Sequence, residues 1–112
     1  MTAPCDAVEL GADLLPAEGL IDEAVILLKG FADPTRFKLL LLLGRGGEVC
    51  VHQLVEVMAM SQSAVSHQLR VLRAARLVSY KKRGRHVFYR LADDHVREML
   101  ESTLSHSEEV HE

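Results

Sequence analysis

The residues best equipped for chemistry lie in the last twenty positions: Asp93, His95, His106 and Glu109, spaced D-x-H-x10-H-x2-E. Imidazole nitrogens and carboxylate oxygens are donors that divalent transition metals accept. The segment reads as an amphipathic helix, on which eleven residues return the chain to within roughly 20° of its starting face. His95 and His106 therefore share a face, flanked by Asp93 and Glu109. Eleven residues also climb about 16 Å, whereas zinc holds such ligands at only about 2.0–2.2 Å. One helix cannot close this site. A second copy running antiparallel can, by setting Asp93 and His95 of one chain beside His106 and Glu109 of the other, twice by symmetry. The spacing joins two expectations, a homodimer and a metal ion across its interface. The plainer reading is a solvated helix face, with Asp93 serving as helix N-cap.

The elements around these residues set what they can do. A chain of 112 residues, 48% hydrophobic, is one small domain whose core dimerisation would help complete. The apolar run Leu39–Leu43 is far too short to cross a membrane. Residues 1–18 carry Asp6, Glu9, Asp13 and Glu18 and lack a basic start, so a cytoplasmic protein is expected, with Cys5 and Cys50 reduced. The net charge of −3 conceals a segregation. From Ala59 to Ala92 there is no acid, yet eight of the thirteen basic residues fall there. The first 33 residues hold seven acids and one Lys, and residues 93–112 hold seven acids and one Arg. A basic centre between acidic ends is the footprint of nucleic-acid binding. The alternative is a basic face paired with the acidic ends.

Residues 1–18 read as a mobile arm and 19–112 as one domain. A helix is expected over Leu20–Phe31, with Leu20, Ala24, Leu27, Leu28 and Phe31 on one apolar stripe. Asp33-Pro34 starts a second helix as N-cap and first helical position, and Gly44 should stop it. That helix is apolar nearly all round and belongs at the domain centre. From Val49 the pattern is helix, tight turn, helix, with Leu54, Val55 and Met58 apolar in the first. Ser61 caps the second, which runs through Val65, Leu69 and Leu72. Leu77–Tyr80 alternates as a strand, Lys81–Arg85 turns around Gly84, and Val87–Leu91 returns as a second strand. The last helix follows from Asp93 or Asp94.

Helix-turn-helix followed by a basic β-hairpin is a winged helix-turn-helix, a mainly α fold with a β-hairpin (α+β). Its second helix would enter the major groove with its N-terminal end toward base edges. There Gln62, Ser63, Ser66, His67 and Arg70 lie outside the Val65/Leu69/Leu72 core stripe. Gln suits adenine, Arg suits guanine or phosphate, and Ser suits either backbone or base. The hairpin tip, Lys81, Lys82, Arg83 and Arg85, would follow the DNA backbone or a flanking minor groove. No Ser/His/Asp arrangement, P-loop or HExxH occurs, and an ion with four protein ligands leaves no open position for a substrate, so no enzyme is expected. A protein-interaction module using the acidic last helix is a competing reading. Salt separates the two, because DNA binding weakens steeply with ionic strength.

Four segments together resemble the ArsR/SmtB family of metal-sensing bacterial repressors: Phe31-Ala-Asp-Pro-Thr-Arg36, Val49-Cys-Val-His52, Ser63-Ala-Val-Ser-His-Gln-Leu-Arg70 and Arg83-Gly-Arg-His-Val-Phe-Tyr-Arg-Leu91. The likeness covers about residues 20 to 110. It implies a homodimer built on the first and last helices, an apo form that binds an inverted-repeat operator, and release by metal. In the family, Asp93, His95, His106 and Glu109 fall on the ligand positions of the zinc site of the C-terminal helix. It also implies that His106, while ligating, donates its free ring N–H to a carbonyl after the recognition helix, near Arg76. Two imidazoles and two carboxylates suit tetrahedral Zn(II), and also Co(II); Ni(II) would want more ligands, and His111 could add one. Relatives that sense Cd(II), lead or arsenic use cysteines at the start of the helix before the turn. Here that position reads Cys50-Val51-His52, so Cys50, His52 and Cys5 or Asp6 form a candidate second site. With His at 52, a three-thiolate arsenic site is not expected. A repressor of the same fold that senses a thiophilic metal or thiol oxidation through Cys50 and Cys5 is the alternative.

Overall fold

The computed structural model describes residues 9–110. Cys5, Asp6 and His111 lie outside them. After a short 3₁₀ turn (Ala12–Leu14) come α1 (Glu18–Phe31), α2 (Pro34–Gly46), β1 (Val49–Cys50), α3 (Val51–Met58), α4 (Gln62–Ala74), β2 (Val78–Arg83), β3 (His86–Leu91) and α5 (Asp94–Val110). The strands form one antiparallel sheet in the order β1-β3-β2.

Helix α2 is the centre of the core, as its all-round apolar sequence requires. Leu39, Leu40 and Leu43 are wholly buried, against Leu54 of α3, Leu69 and Leu72 of α4, and Leu100 of α5. Its start follows from Asp33, whose carboxylate accepts the Arg36 N–H at 3.0 Å, and from Pro34 in the first turn. Its end differs from the expected stop at Gly44. A Cβ on Gly44 would lie 3.2 Å from Leu91 Cδ1, so this glycine serves close packing inside the helix. The break falls at Gly47, whose φ of +82° suits glycine and whose N–H reaches the Leu43 carbonyl at 2.8 Å.

Two more boundaries move. Val49 and Cys50 do not open the helix; they pair with Tyr89 and Phe88 as a third strand, because the free edge of β3 offers ladder partners to a β-branched residue. The hairpin is also longer and tighter than expected. Lys81, Lys82 and Arg83 are strand residues opposite Phe88, Val87 and His86, and only Gly84 and Arg85 turn. Gly84, with φ +62°, holds the position at which a two-residue II′ turn places glycine.

The expected α1 stripe splits. Phe31 is buried and Leu27 half-buried against the core, but Leu20 and Leu28 are 57% and 55% exposed, and Ala24, Val25 and Ile26 face solvent too. Helix α1 meets the body near Gly30, where a Cβ would come 2.6 Å from Leu77 Cδ1. In α5, Val96 and Leu100 are buried and Met99 and Leu104 half-buried, while residues 105–109 are exposed. The radius of gyration, 18.5 Å, exceeds the roughly 13 Å of a compact chain of this length. Among the described residues, the large apolar side chains left exposed include Leu20, Val25, Ile26 and Leu28 of α1. Among the described residues no helix is long and apolar enough to cross a membrane.

Candidate metal centre and nucleic-acid interface

Asp93 ends the sheet and starts α5. Its Oδ1 accepts the Val96 N–H at 3.1 Å, the N-cap bond that its position anticipates. The same oxygen lies 3.7 Å from His95 Nδ1. About three turns on, His106 Nδ1 lies 3.7 Å from Glu109 Oε2. Two ligand atoms on one tetrahedral zinc, each about 2.0–2.1 Å from it, stand about 3.4 Å apart. Each pair is within a few tenths of an ångström of that separation. In both pairs Nδ1 faces the carboxylate, which leaves Nε2 free to donate. The two pairs share α5 but stay about 16 Å apart along its axis. Among the described residues no three metal-competent side chains converge within one protomer. Each protomer therefore presents two separate His–carboxylate pairs. His95 and His106 are 87% and 80% exposed, so no protomer packing accounts for their placement.

The basic surface is built on α4 and the hairpin. Ser61 Oγ accepts the Ala64 N–H at 3.2 Å and starts α4. Val65, Leu69 and Leu72 are wholly buried. The helix then presents Gln62, Ser63, His67 and Arg70 to solvent, with Ser66 half-buried. Between α4 and the sheet runs an open cleft of about 300 Å³ lined by His52, Gln62, Ser66, Arg70, Arg73 and Arg85 among others. Burial pushes the Tyr89 phenol on its wall above the usual tyrosine value of 10.0, against the opposing pull of Arg73 and Arg70. It remains a neutral hydrogen-bonding group at physiological pH. Lys81, Lys82 and Arg85 are exposed on the wing. Arg83 is engaged: it pairs with Glu48 at 2.6 Å and lies over the Phe88 ring.

Several contacts escaped the sequence reading. Arg73 stacks over Tyr80 at 4.3 Å and borders the cleft; its spacing of three from Arg70 on the same helix was the available signal. Arg36 spans three elements, donating to the Gly30 and Lys29 carbonyls of α1 at 3.1 and 3.0 Å and to Gln68 Oε1 of α4 at 3.2 Å. Nothing in its local sequence announces that. Arg76, just past α4, has φ +62° in a helix-ending turn closed by Leu77 N–H to Leu72 O and Arg76 N–H to Arg73 O. Around the other candidate site, Cys50 is buried and His52 exposed, and the Cys50 N–H donates to Gln53 Oε1 at 3.0 Å. The neighbour that sequence did not supply is His86, whose Nδ1 lies 3.8 Å from Cys50 Sγ.

A helix-turn-helix (α3, α4) with a basic β2–β3 wing, set on a leucine-rich α2, defines a winged helix-turn-helix DNA-binding regulator. Residues 33–80 match the family described as "Bacterial regulatory protein, arsR family". The chain is 49% identical over 78 residues to a "Transcriptional repressor SmtB homolog" of Synechocystis, covering 70% of this chain and 58% of that one. Among solved structures it resembles the "AntR antimony-specific transcriptional repressor", with 34% identity and a TM-score of 0.77 over 93% of this chain and 97% of that one. It also resembles a homodimeric winged helix-turn-helix DNA-binding domain from Mycobacterium bovis, with 25% identity and a TM-score of 0.77 over 82% and 84%. The chain belongs to the arsR family of bacterial regulatory proteins, which are DNA-binding transcription regulators and not enzymes.

Proposed function

We propose that this protein is a cytoplasmic, homodimeric repressor whose operator binding is released by a divalent metal ion, Zn(II) or one of similar preference, held between the α5 helices of two protomers. One observation carries this reading: α5 presents two His–carboxylate pairs with near-ligand spacing, each only half of a tetrahedral set, on a helix of 17 residues. The donors fit the ion, since neutral imidazole and carboxylate oxygen suit Zn(II) and Co(II). A bound ion would supply charge and bonds joining Asp93 and His95 of one protomer to His106 and Glu109 of the other. The exposed Leu20, Val25, Ile26 and Leu28 of α1 offer apolar surface for the same dimer. Gln62, Ser63, Ser66, His67 and Arg70 would read an inverted repeat, with Lys81, Lys82 and Arg85 on phosphates.

Regulation then follows from linkage. A metal that binds the DNA-incompetent conformation more tightly must weaken DNA binding by the same factor. In our reading His106 would help hold the ion, and its remaining ring N–H would donate to a backbone carbonyl near Arg76, the turn in which the recognition helix ends. Fluorescence anisotropy on DNA from the gene's own upstream region tests the function. Tight binding by the metal-free protein and release by Zn(II) is the expected outcome. Binding indifferent to Zn(II) would refute the regulatory half and leave the DNA-binding half standing.

A further inference from the structure

We propose that the cleft between α4 and the wing seats a phosphate of the DNA backbone, that Arg73 is the residue that binds it, and that Tyr80 holds Arg73 in place. This contact rests on the reading that α4 and the wing face DNA, and it senses the backbone rather than the base sequence.

The sheet builds the support for Arg73. Tyr80 of β2 and Tyr89 of β3 are directly opposite in the antiparallel register, and their ring centres are 5.7 Å apart. Side chains directly across a strand pair leave the same face. Tyr89 is buried and anchored in the core, whereas Tyr80 is 45% exposed. Helix α4 packs against β2 and brings the Arg73 guanidinium carbon to 4.3 Å from the centre of the Tyr80 ring. That is well inside the roughly 6 Å of a cation–π contact. Such a contact restrains a long side chain yet uses none of its N–H donors. Arg73 is exposed, and among the described residues no carboxylate pairs with it.

The surroundings select an anion. Arg70, Arg73 and Arg85 all line the cleft, and no Asp or Glu does. Gln62 and Ser66 line it too, so it is continuous with the surface proposed to read bases. That continuity favours a DNA strand over an acidic peptide. Arg73 follows Gln62 by eleven residues, about 16 Å along the helix axis. With the N-terminal end of α4 at the base edges, Arg73 therefore stands toward the rim of the groove, where the phosphates are. A guanidinium suits that partner, because its planar fork matches two phosphate oxygens at once.

Fluorescence anisotropy of the metal-free full chain across a range of salt concentrations tests the contact. Two duplexes of equal length serve as probes, one from the gene's own upstream region and one unrelated. Arg73→Ala should lower the log–log salt slope by about 0.9 and weaken both duplexes alike, roughly eightfold at about 0.1 M salt. Arg73→Lys should keep the slope, since counterion release depends on the charge. Tyr80→Phe, which keeps the ring, should bind as the parent does. Tyr80→Leu should weaken binding, but not when added to Arg73→Ala. An unchanged slope in Arg73→Ala, or a loss confined to the upstream duplex, would overturn the phosphate assignment while leaving DNA binding by the parent chain intact. Additive losses from Tyr80→Leu and Arg73→Ala would overturn the positioning role of Tyr80. A parent chain that bound neither duplex would overturn the DNA reading itself, and this contact with it. Arg73 is exposed and its replacement spares the core, so Arg73→Ala decides the matter even if Tyr80→Leu fails to fold.

Discussion

Arg36→Ala is the substitution whose cost the structure lets us work out most directly. The guanidinium donates to two carbonyls at the C-terminal end of α1, Gly30 at 3.1 Å and Lys29 at 3.0 Å, and to Gln68 Oε1 at 3.2 Å. The Gly30 and Gln68 bonds are partly buried, and the Lys29 bond is exposed. Hydrogen bonds to a charged group contribute about 1.5 kcal/mol each at the low end, so the two sheltered bonds amount to about 3 kcal/mol and the exposed one adds little. Water can reach the freed α1 carbonyls in the variant, which brings the expected loss to about 2–3 kcal/mol. Urea unfolding of the full-length protein at fixed protomer concentration measures it, since dimerisation couples stability to concentration. Arg36→Lys should recover less than half, because an ammonium cannot reproduce the planar fork that reaches two elements at once. Operator affinity should fall along with stability, since Gln68 belongs to the helix that carries the reading residues. A loss below about 0.5 kcal/mol, the scale of an ordinary surface substitution, would refute the idea that Arg36 ties α1 to α4.

Three further outcomes are expected. Arg85→Ala should lower the salt dependence of operator binding by about one unit of log–log slope per DNA site contacted, whereas Arg83→Ala should change it less, because Glu48 already holds Arg83; equal changes would count against that pairing. Ala59 sits in the helix-turn-helix turn at φ 54°, so Ala59→Gly should stabilise the fold by about 0.5–1 kcal/mol, read as an increased urea midpoint. Tyr89 has its pKa raised by burial, so the folded chain binds that proton more tightly than the unfolded one. That contribution is fully present below pH 10.0 and is lost as pH rises through the raised value, and Tyr89→Phe should flatten the alkaline loss of stability.

Much of the fold was legible because each strong signal had a local physical cause. Asp33-Pro34 and Ser61 mark helix starts through their caps, and the leucines of α2 mark a helix buried on all sides. The boundaries that moved were decided by tertiary partners. Gly44 looks like a stop and instead makes room for Leu91, while Val49 and Cys50 became a strand only because β3 had a free edge. The α1 stripe divides instead: Leu27 and Phe31 pack inward, while three of its five residues, Leu20, Ala24 and Leu28, face solvent. The placement of the two His–carboxylate pairs of α5 was readable because helical geometry fixes both their shared face and their separation. His86 beside Cys50 was not, since 36 residues and the hairpin register lie between them.

If the α5 metal site forms only between two protomers, mixed dimers should restore it. One variant would lack Asp93 and His95, the other His106 and Glu109, all replaced by Ala. With the Cys50 region blocked by Cys50→Ser in both, neither homodimer should bind Zn(II) tightly. In the heterodimer one α5 site loses all four ligands and the other regains all four, so one tightly bound Zn(II) per heterodimer is expected. No recovery on mixing, or tight binding by either homodimer alone, would contradict it.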